Sequence, residues 1–310
     1  MKITALAGGV GGAKMAHGLA SVLPPGDLTV IVNTGDDFTH YGLAISPDLD
    51  TVCYTLAGMV DEDKGWGLAD DTFDTLRRLE ALGGPGWFGI GDKDISTHLE
   101  RTRLLRDGYL LTEITRRFSL AWGIRQIILP MTDEQVSTLI ETHEKGLLTF
   151  QEYFVKYRFE PRVKKIFYQG LKTAQPTMEV VQALEHCDGV VICPSNPYLS
   201  IDPITQLAGV KEILVRKPVA CVSPIIQNKC VKGPLSKMLV EFGLSSDQEA
   251  IIRHYGDLLN IFIYDKQDEG TVTAESASGI ITYTTDILLP DIENRTRLAN
   301  EIIGLFEKYI

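Results

Sequence analysis

Residues 2–20 read KITALAGGVGGAKMAHGLA: an apolar run, four glycines in five residues, one lysine, then a helical pattern. Ile3 to Ala7 has the continuous apolar character of a buried strand, and Ala13 to Val22 reads as a helix that Pro24, Pro25 and Gly26 end. LTVIVNTGDD, residues 28–37, is a second buried strand running into a polar loop. A strand, a helix and a second strand make a β-α-β unit. The predicted fold is therefore α/β: a Rossmann-like, doubly wound, mainly parallel sheet.

Further along, the β-α-β rhythm lapses and returns. SPDLDTVCYTLAG, from Ser46, has helix-start chemistry, with Ser46 as cap, Pro47 in the first turn and acids where the helix dipole favours them. Helices also fit DDTFDTLRRLEALGG and DKDISTHLERTRLLRDG, and IRQIILPM fits a short strand. This mixed stretch, residues 70–169, is read as an insertion or cap on one domain spanning residues 1–310. Strands return with GVVICPSNP, PVACVSPII and LNIFIYD, and TRLANEIIGLFEKY closes the chain as a helix.

Composition narrows the function. At 44% apolar and 23% charged residues, the 310-residue chain has ordinary globular values. A net charge of -11 disfavours a nucleic acid or an anionic membrane as partner, yet leaves room for a local pocket holding a small anion. Five cysteines without a Cys-x-x-Cys pair argue for reduced thiols, without structural zinc. Gly8 and Gly9 break the first apolar run, and no later one approaches the roughly 20 residues of a membrane span. A cytoplasmic protein is expected.

A glycine turn between strand and helix lets backbone N–H groups approach a phosphate, with the helix dipole adding positive charge. The dinucleotide fingerprint fails where Lys14 stands for its third glycine, which weakens a dehydrogenase reading. The P-loop pattern fails at Ala13 and at Met15, where a magnesium-binding hydroxyl would sit. The alternative is a tight turn that lets helix and strand pack closely. If phosphate binds, its Mg2+ must be held elsewhere, and Asp36, Asp37, Asp48 and Asp50 follow the second strand. They could instead be caps and solvated turn acids.

IGDKD places Lys93 between Asp92 and Asp94, either at a solvated helix start or aimed into a cleft; Thr97, His98, Arg101 and Arg103 follow on the same helix. CPSNPYLSI and SPIIQNKCVKGP are strand-end loops in which Ser195, Asn196 and Ser223 offer hydrogen bonds and Lys229 and Lys232 offer charge. No Gly-x-Ser-x-Gly or His-Glu-x-x-His motif occurs, and no single histidine is assigned a role.

With ALAGGVGGAK, NTGDD, SPDLDT, GWGLADDT, IGDKD, PSNP and SPII...VKGP in order, the chain resembles the 2-phospho-L-lactate transferase (CofD) family of coenzyme F420 biosynthesis. The resemblance implies transfer of 2-phospho-L-lactate, or of phosphoenolpyruvate, from a guanosine diphospho donor (LPPG or EPPG) to the deazaflavin Fo. The products would be F420-0, or its dehydro form, and GMP, with Mg2+ required and a homodimer expected. It implies a donor cradle of Gly9, Gly11, Gly12 and Lys14, and Ser195, Asn196 and Pro197 on the guanosine side. Asp48, helped by Asp36 or Asp37, would hold the metal. Asp50 would orient or deprotonate the acceptor hydroxyl, and Lys93 would contact Fo. Gln227 and Asn228 depart from the glycines usual there, which leaves the loop geometry open. The alternative is a nucleotide-sugar-binding regulatory protein of the same fold; SPDLDT and IGDKD favour the enzyme.

Overall fold

The computed structural model describes residues 1–309. Strand β1 (Ile3–Ala7) leads into α1 (Gly9–Val22) and β2 (Leu28–Val32), followed by a hairpin of β3 (Phe38–His40) and β4 (Leu43–Ile45). Helices α2 (Pro47–Leu56), α3 (Asp74–Ala81), α4 (Ile95–Arg106) and α5 (Leu111–Ala121) precede β5 (Ile127–Pro130). A small antiparallel sheet comes next, from β6 (Ser137–Thr142), β7 (Gly146–Thr149) and β8 (Val163–Gln169), and then α6 (Met178–His186) and β9 (Gly189–Ile192). The last third holds α7 (Asp202–Thr205), α8 (Val210–Leu214), β10 (Val219–Val222), the hairpin β11 (Ile225–Ile226) and β12 (Lys229–Cys230), and α9 (Leu235–Glu241). It ends with α10 (Gln248–Tyr255), β13 (Ile261–Asp265), β14 (Ile281–Thr285) and α11 (Ile292–Tyr309).

Seven strands form the main sheet in the order β14-β13-β10-β9-β1-β2-β5, and all six pairings are parallel. Counted along the chain, this is the doubly wound order 3-2-1-4-5-6-7, so the winding reverses between β1 and β9. Ligands of such sheets bind outside the carboxyl ends of the strands at that reversal. There Ala7 runs into the glycine turn and Ile192 runs into Cys193-Pro194-Ser195.

Both faces of the sheet are covered, which is why its strands are apolar without alternation. Leu6, Ile31, Val190 and Phe262 pack toward α6, α8, α9 and α10, while Ala5, Ala7, Val30 and Val191 pack toward α1, α2 and α11.

Three elements differ from the sequence reading. Helix α1 begins at Gly9 rather than Ala13, so the glycines form its first turn. Strand β5, read within residues 70–169, pairs with β2 at the edge of the main sheet. Strand β14 was not foreseen, because its half-buried ITYTT is short and polar. All five cysteines are free, and among the described residues no helix is long and apolar enough to cross a membrane.

Candidate active site at the strand reversal

Three backbone segments meet at the reversal with almost no room between them. A Cβ on Gly11 would lie 2.2 Å from the Pro194 carbonyl oxygen, and one on Gly12 would lie 3.1 Å from the Ala7 Cβ. Close packing thus accounts for these two glycines, the alternative that the sequence left open. Gly9 has φ +62°, the left-handed region that favours glycine, and its N–H donates to Asp48 Oδ1 at 2.7 Å. The Ser195 hydroxyl donates to the Gly8 carbonyl at 2.8 Å and ties the β9 loop to the turn. Asn196 turns its Oδ1 back onto Tyr198 N and Leu199 N, and Pro197 is buried.

Asp48 stands in the first turn of α2 and faces the N-terminus of α1. Asn33, at the end of β2, organises it: Nδ2 lies 3.0 Å from Asp48 Oδ2, 3.3 Å from Asp36 Oδ1 and 3.4 Å from the Leu199 carbonyl, while Oδ1 accepts Gly35 N at 2.8 Å. One amide nitrogen therefore draws two carboxylates together. Among the described residues no cationic side chain compensates them. Burial, then the Asp48 and Asp37 charges, hold the Asp36 carboxyl well above the usual carboxylate range. Burial pushes Asp48 up to about 6 against its hydrogen bonds from Asn33 and Gly9. Asp37, raised by burial, accepts the Ser46 hydroxyl at 2.7 Å and leaves Oδ1 buried without a partner. Ser46 thus sits at the N-cap position but spends its hydroxyl on Asp37 instead of the helix.

Among the described residues, no group of three or more His, Cys, Asp and Glu side chains is arranged to hold a metal. Two adjacent, uncompensated carboxylates still fit Mg2+, which takes one or two carboxylates and fills its other positions with water and phosphate oxygens. Asp36 and Asp48 are the pair that would hold it. Lys14, one helical turn along α1, is half-buried, and its pKa is lowered by burial and by Arg295 nearby.

Asp50 is placed differently. Arg101 engages both of its oxygens, one at 3.0 Å, with His98 Nδ1 at 3.8 Å. Arg101 is only 2% exposed. The guanidinium thus occupies both oxygens, while burial raises the Asp50 pKa against the Arg101 and His98 charges. His98 continues to Asp94 at 3.0 Å, and Tyr54 donates to Asp94 at 2.6 Å. Lys93 is exposed, and its Nζ donates to the Ala69 carbonyl at 2.9 Å, in the loop that precedes α3. Asp92 caps α3 through Asp74 N and Thr75 N, both at 2.9 Å, and not the helix that follows it.

Asn33 and Arg101 are the site residues that sequence reasoning undervalued. Asn33 lies inside NTGDD, where the acids draw the attention, and Arg101 reads in the sequence only as following Lys93 on its helix. An aromatic wall adjoins the acids: Phe38, directly after Asp37, packs on Phe88 with ring centroids 4.8 Å apart, and Trp87 lies 5.3 Å from His40. The tip of the β11–β12 hairpin is a two-residue turn with Gln227 at φ 49° and Asn228 at φ 62°. The family's glycines would suit both positions; here Asp268 accepts Gln227 N at 2.9 Å and holds the turn.

The family described as 2-phospho-L-lactate transferase CofD matches residues 3–301. The chain belongs to that CofD family. Over 99% of both chains it is 39% identical to the phosphoenolpyruvate transferase of Streptomyces griseus. It is 38% identical to the 2-phospho-L-lactate transferase of Methanosarcina mazei over 96% of this chain and 98% of that one. This CofD-family member is a transferase enzyme. A UPF0052-family protein from Bacillus halodurans superposes with a TM-score of 0.66 at 16% identity, covering 97% of this chain and 98% of that one, and shares the fold.

Proposed function

We propose that this transferase moves a 2-phospholactyl or phosphoenolpyruvyl group from its guanosine diphospho donor to the ribityl hydroxyl of Fo, releasing GMP, in the biosynthesis of coenzyme F420. The observation that carries it is the uncompensated Asp36–Asp48 pair facing the N-terminus of α1 where the winding reverses. That combination offers a diphosphate donors on one side and a cation on the other.

In the reaction the acceptor oxygen bonds to the phosphorus of the transferred group, the bond from that phosphorus to the GMP oxygen breaks with its electrons left on GMP, and the hydroxyl proton passes to solvent. Phosphoryl transfer of this kind depends on positioning and charge neutralisation. The first turn of α1, Gly9 to Gly12, and Lys14 face the diphosphate, and the Ser195–Pro197 turn borders the guanosine. Asp36 and Asp48 would hold a Mg2+ ion, which would neutralise the diphosphate charge. The Phe38–Phe88–Trp87 wall suits the flat deazaflavin. Asp50 serves as the anchor of α2 through Arg101, and Lys93 fastens the loop beside it.

The test is mass spectrometry of the purified protein with Fo, Mg2+ and each guanylated donor in turn. F420-0 or dehydro-F420-0 with stoichiometric GMP is expected, and the productive donor identifies the transferred group. No product from either donor, with saturable binding of a nucleotide sugar, would overturn the reading.

A further inference from the structure

Behind the loop that leaves β9 lies a polar cluster that the proposed chemistry does not use. Asp202, at the start of α7, places Oδ1 2.8 Å from His254 Nε2 on α10 and Oδ2 3.3 Å from the Tyr168 hydroxyl on β8. The same hydroxyl lies 2.6 Å from the Tyr198 carbonyl oxygen, and the Tyr198 ring meets the His254 ring edge-on with centroids 4.4 Å apart. Because a carboxylate only accepts, the Nε2 of His254 is the nitrogen that carries the proton.

The other side of this segment reaches the site. Ser195 bonds the glycine turn at Gly8, and the Leu199 carbonyl accepts from Asn33, the residue that gathers Asp36 and Asp48. Residues 195–202 are thus gripped at the back by two side chains from two elements, Tyr168 of β8 and His254 of α10, and touch the donor cradle at the front. We propose that Asp202 and His254 are positioning residues for donor binding, acting through the Ser195–Ile201 turn. The inference rests on the transferase reading above. Pro197 and Pro203 already stiffen the turn, and the hydrogen bonds to Asp202 and Tyr198 set its depth against the glycines.

The experiment compares wild type with His254→Ala, His254→Gln and Tyr168→Phe. It measures GMP affinity by calorimetry, KM for the guanylated donor and for Fo separately, kcat and melting temperature. His254→Ala is expected to raise donor KM and the GMP Kd about tenfold, the scale of losing an outer-sphere partner, with Fo KM and kcat held within about twofold. His254→Gln, whose amide can still donate to Asp202, is expected to recover most of the affinity. Tyr168→Phe deletes one hydroxyl without opening the core and should weaken donor binding about threefold. Unchanged donor KM in His254→Ala would overturn the proposal. So would equal impairment of the Ala and Gln variants, or donor and Fo KM rising together with a lowered melting temperature. A wild-type protein that neither binds GMP nor forms product sinks the transferase assignment itself, an outcome distinct from these.

Discussion

Asp48 and Asp50 stand two residues apart in the first turn of the same helix, both buried, yet they live in opposite electrostatic surroundings. Asp50 faces a buried guanidinium that satisfies both oxygens. Asp48 faces an amide, a backbone N–H and a second carboxylate. The Arg101 side is a closed ion pair, complete without any ligand. The Asp48 side is open: its charge is uncompensated, which a folded chain tolerates only by holding a proton or a cation. A buried acid whose partner lies within the protein is thus part of the scaffold, and one without such a partner marks the place for an added ion.

The sharpest way to break this comparison is to neutralise each side. Asp48→Asn should lower turnover by about 10²–10³-fold, the scale of losing one transition-state charge contact, while leaving the fold intact. Turnover within a few-fold of wild type in a steady-state GMP-release assay would show that Asp48 does not face the donor. On the closed side, Arg101→Met strands Asp50 without its partner and should cost about 3–5 kcal/mol in urea unfolding, much of it recovered in the double variant with Asp50→Leu. An unchanged unfolding midpoint would mean that the pair is not the anchor of α2.

Stability against pH sharpens the contrast. Burial raises Asp48 to about 6 from an ordinary 3.8 and holds Asp36 well above that ordinary value by the same cause, so the stabilising protonated forms are complete below about pH 4. The Asp48 contribution is lost as pH rises through about 6. Without divalent cations the melting temperature should therefore fall over that window, and added Mg2+ should restore several degrees at pH 7.5 and almost none at pH 5. A metal response that is the same at both pH values would remove the acid pair as its seat. The smallest effect belongs to neither side. Gln227→Gly relieves a left-handed residue in the hairpin turn and should stabilise by about 0.5 kcal/mol, the strain relieved less the entropy glycine adds to the unfolded chain. The donor KM should not move; a shift would tie the hairpin to binding.

Much of the site was legible in the sequence, but its division of labour was not. The glycine turn, the acids after β2 and the PSNP loop were all quoted as motifs, and the structure brings Gly9, Asp36, Asp48 and Ser195 together. Lys93 and Asp50 stood beside them as equals because nothing in IGDKD or SPDLD says where a side chain points. Asn33 was overlooked because a neutral amide at a strand end reads as an ordinary loop residue. Helix α1 starts earlier than its composition suggests because glycine's poor helix propensity gives way to the demand for close packing at Pro194.

The sequence by itself determined the family and the centre of the sheet, though not the sheet's edge strands β5 and β14. Buried parallel strands, glycine turns and helix breakers are local patterns, readable within a dozen residues, and the ordered set of motifs spans the chain. Only the tertiary structure decided which buried aspartates have a cation. Asp50 receives its countercharge from Arg101, 51 positions away, and Asp48 receives none. Compensation of charge in a low-dielectric interior depends on distances across the fold, and sequence spacing does not encode them.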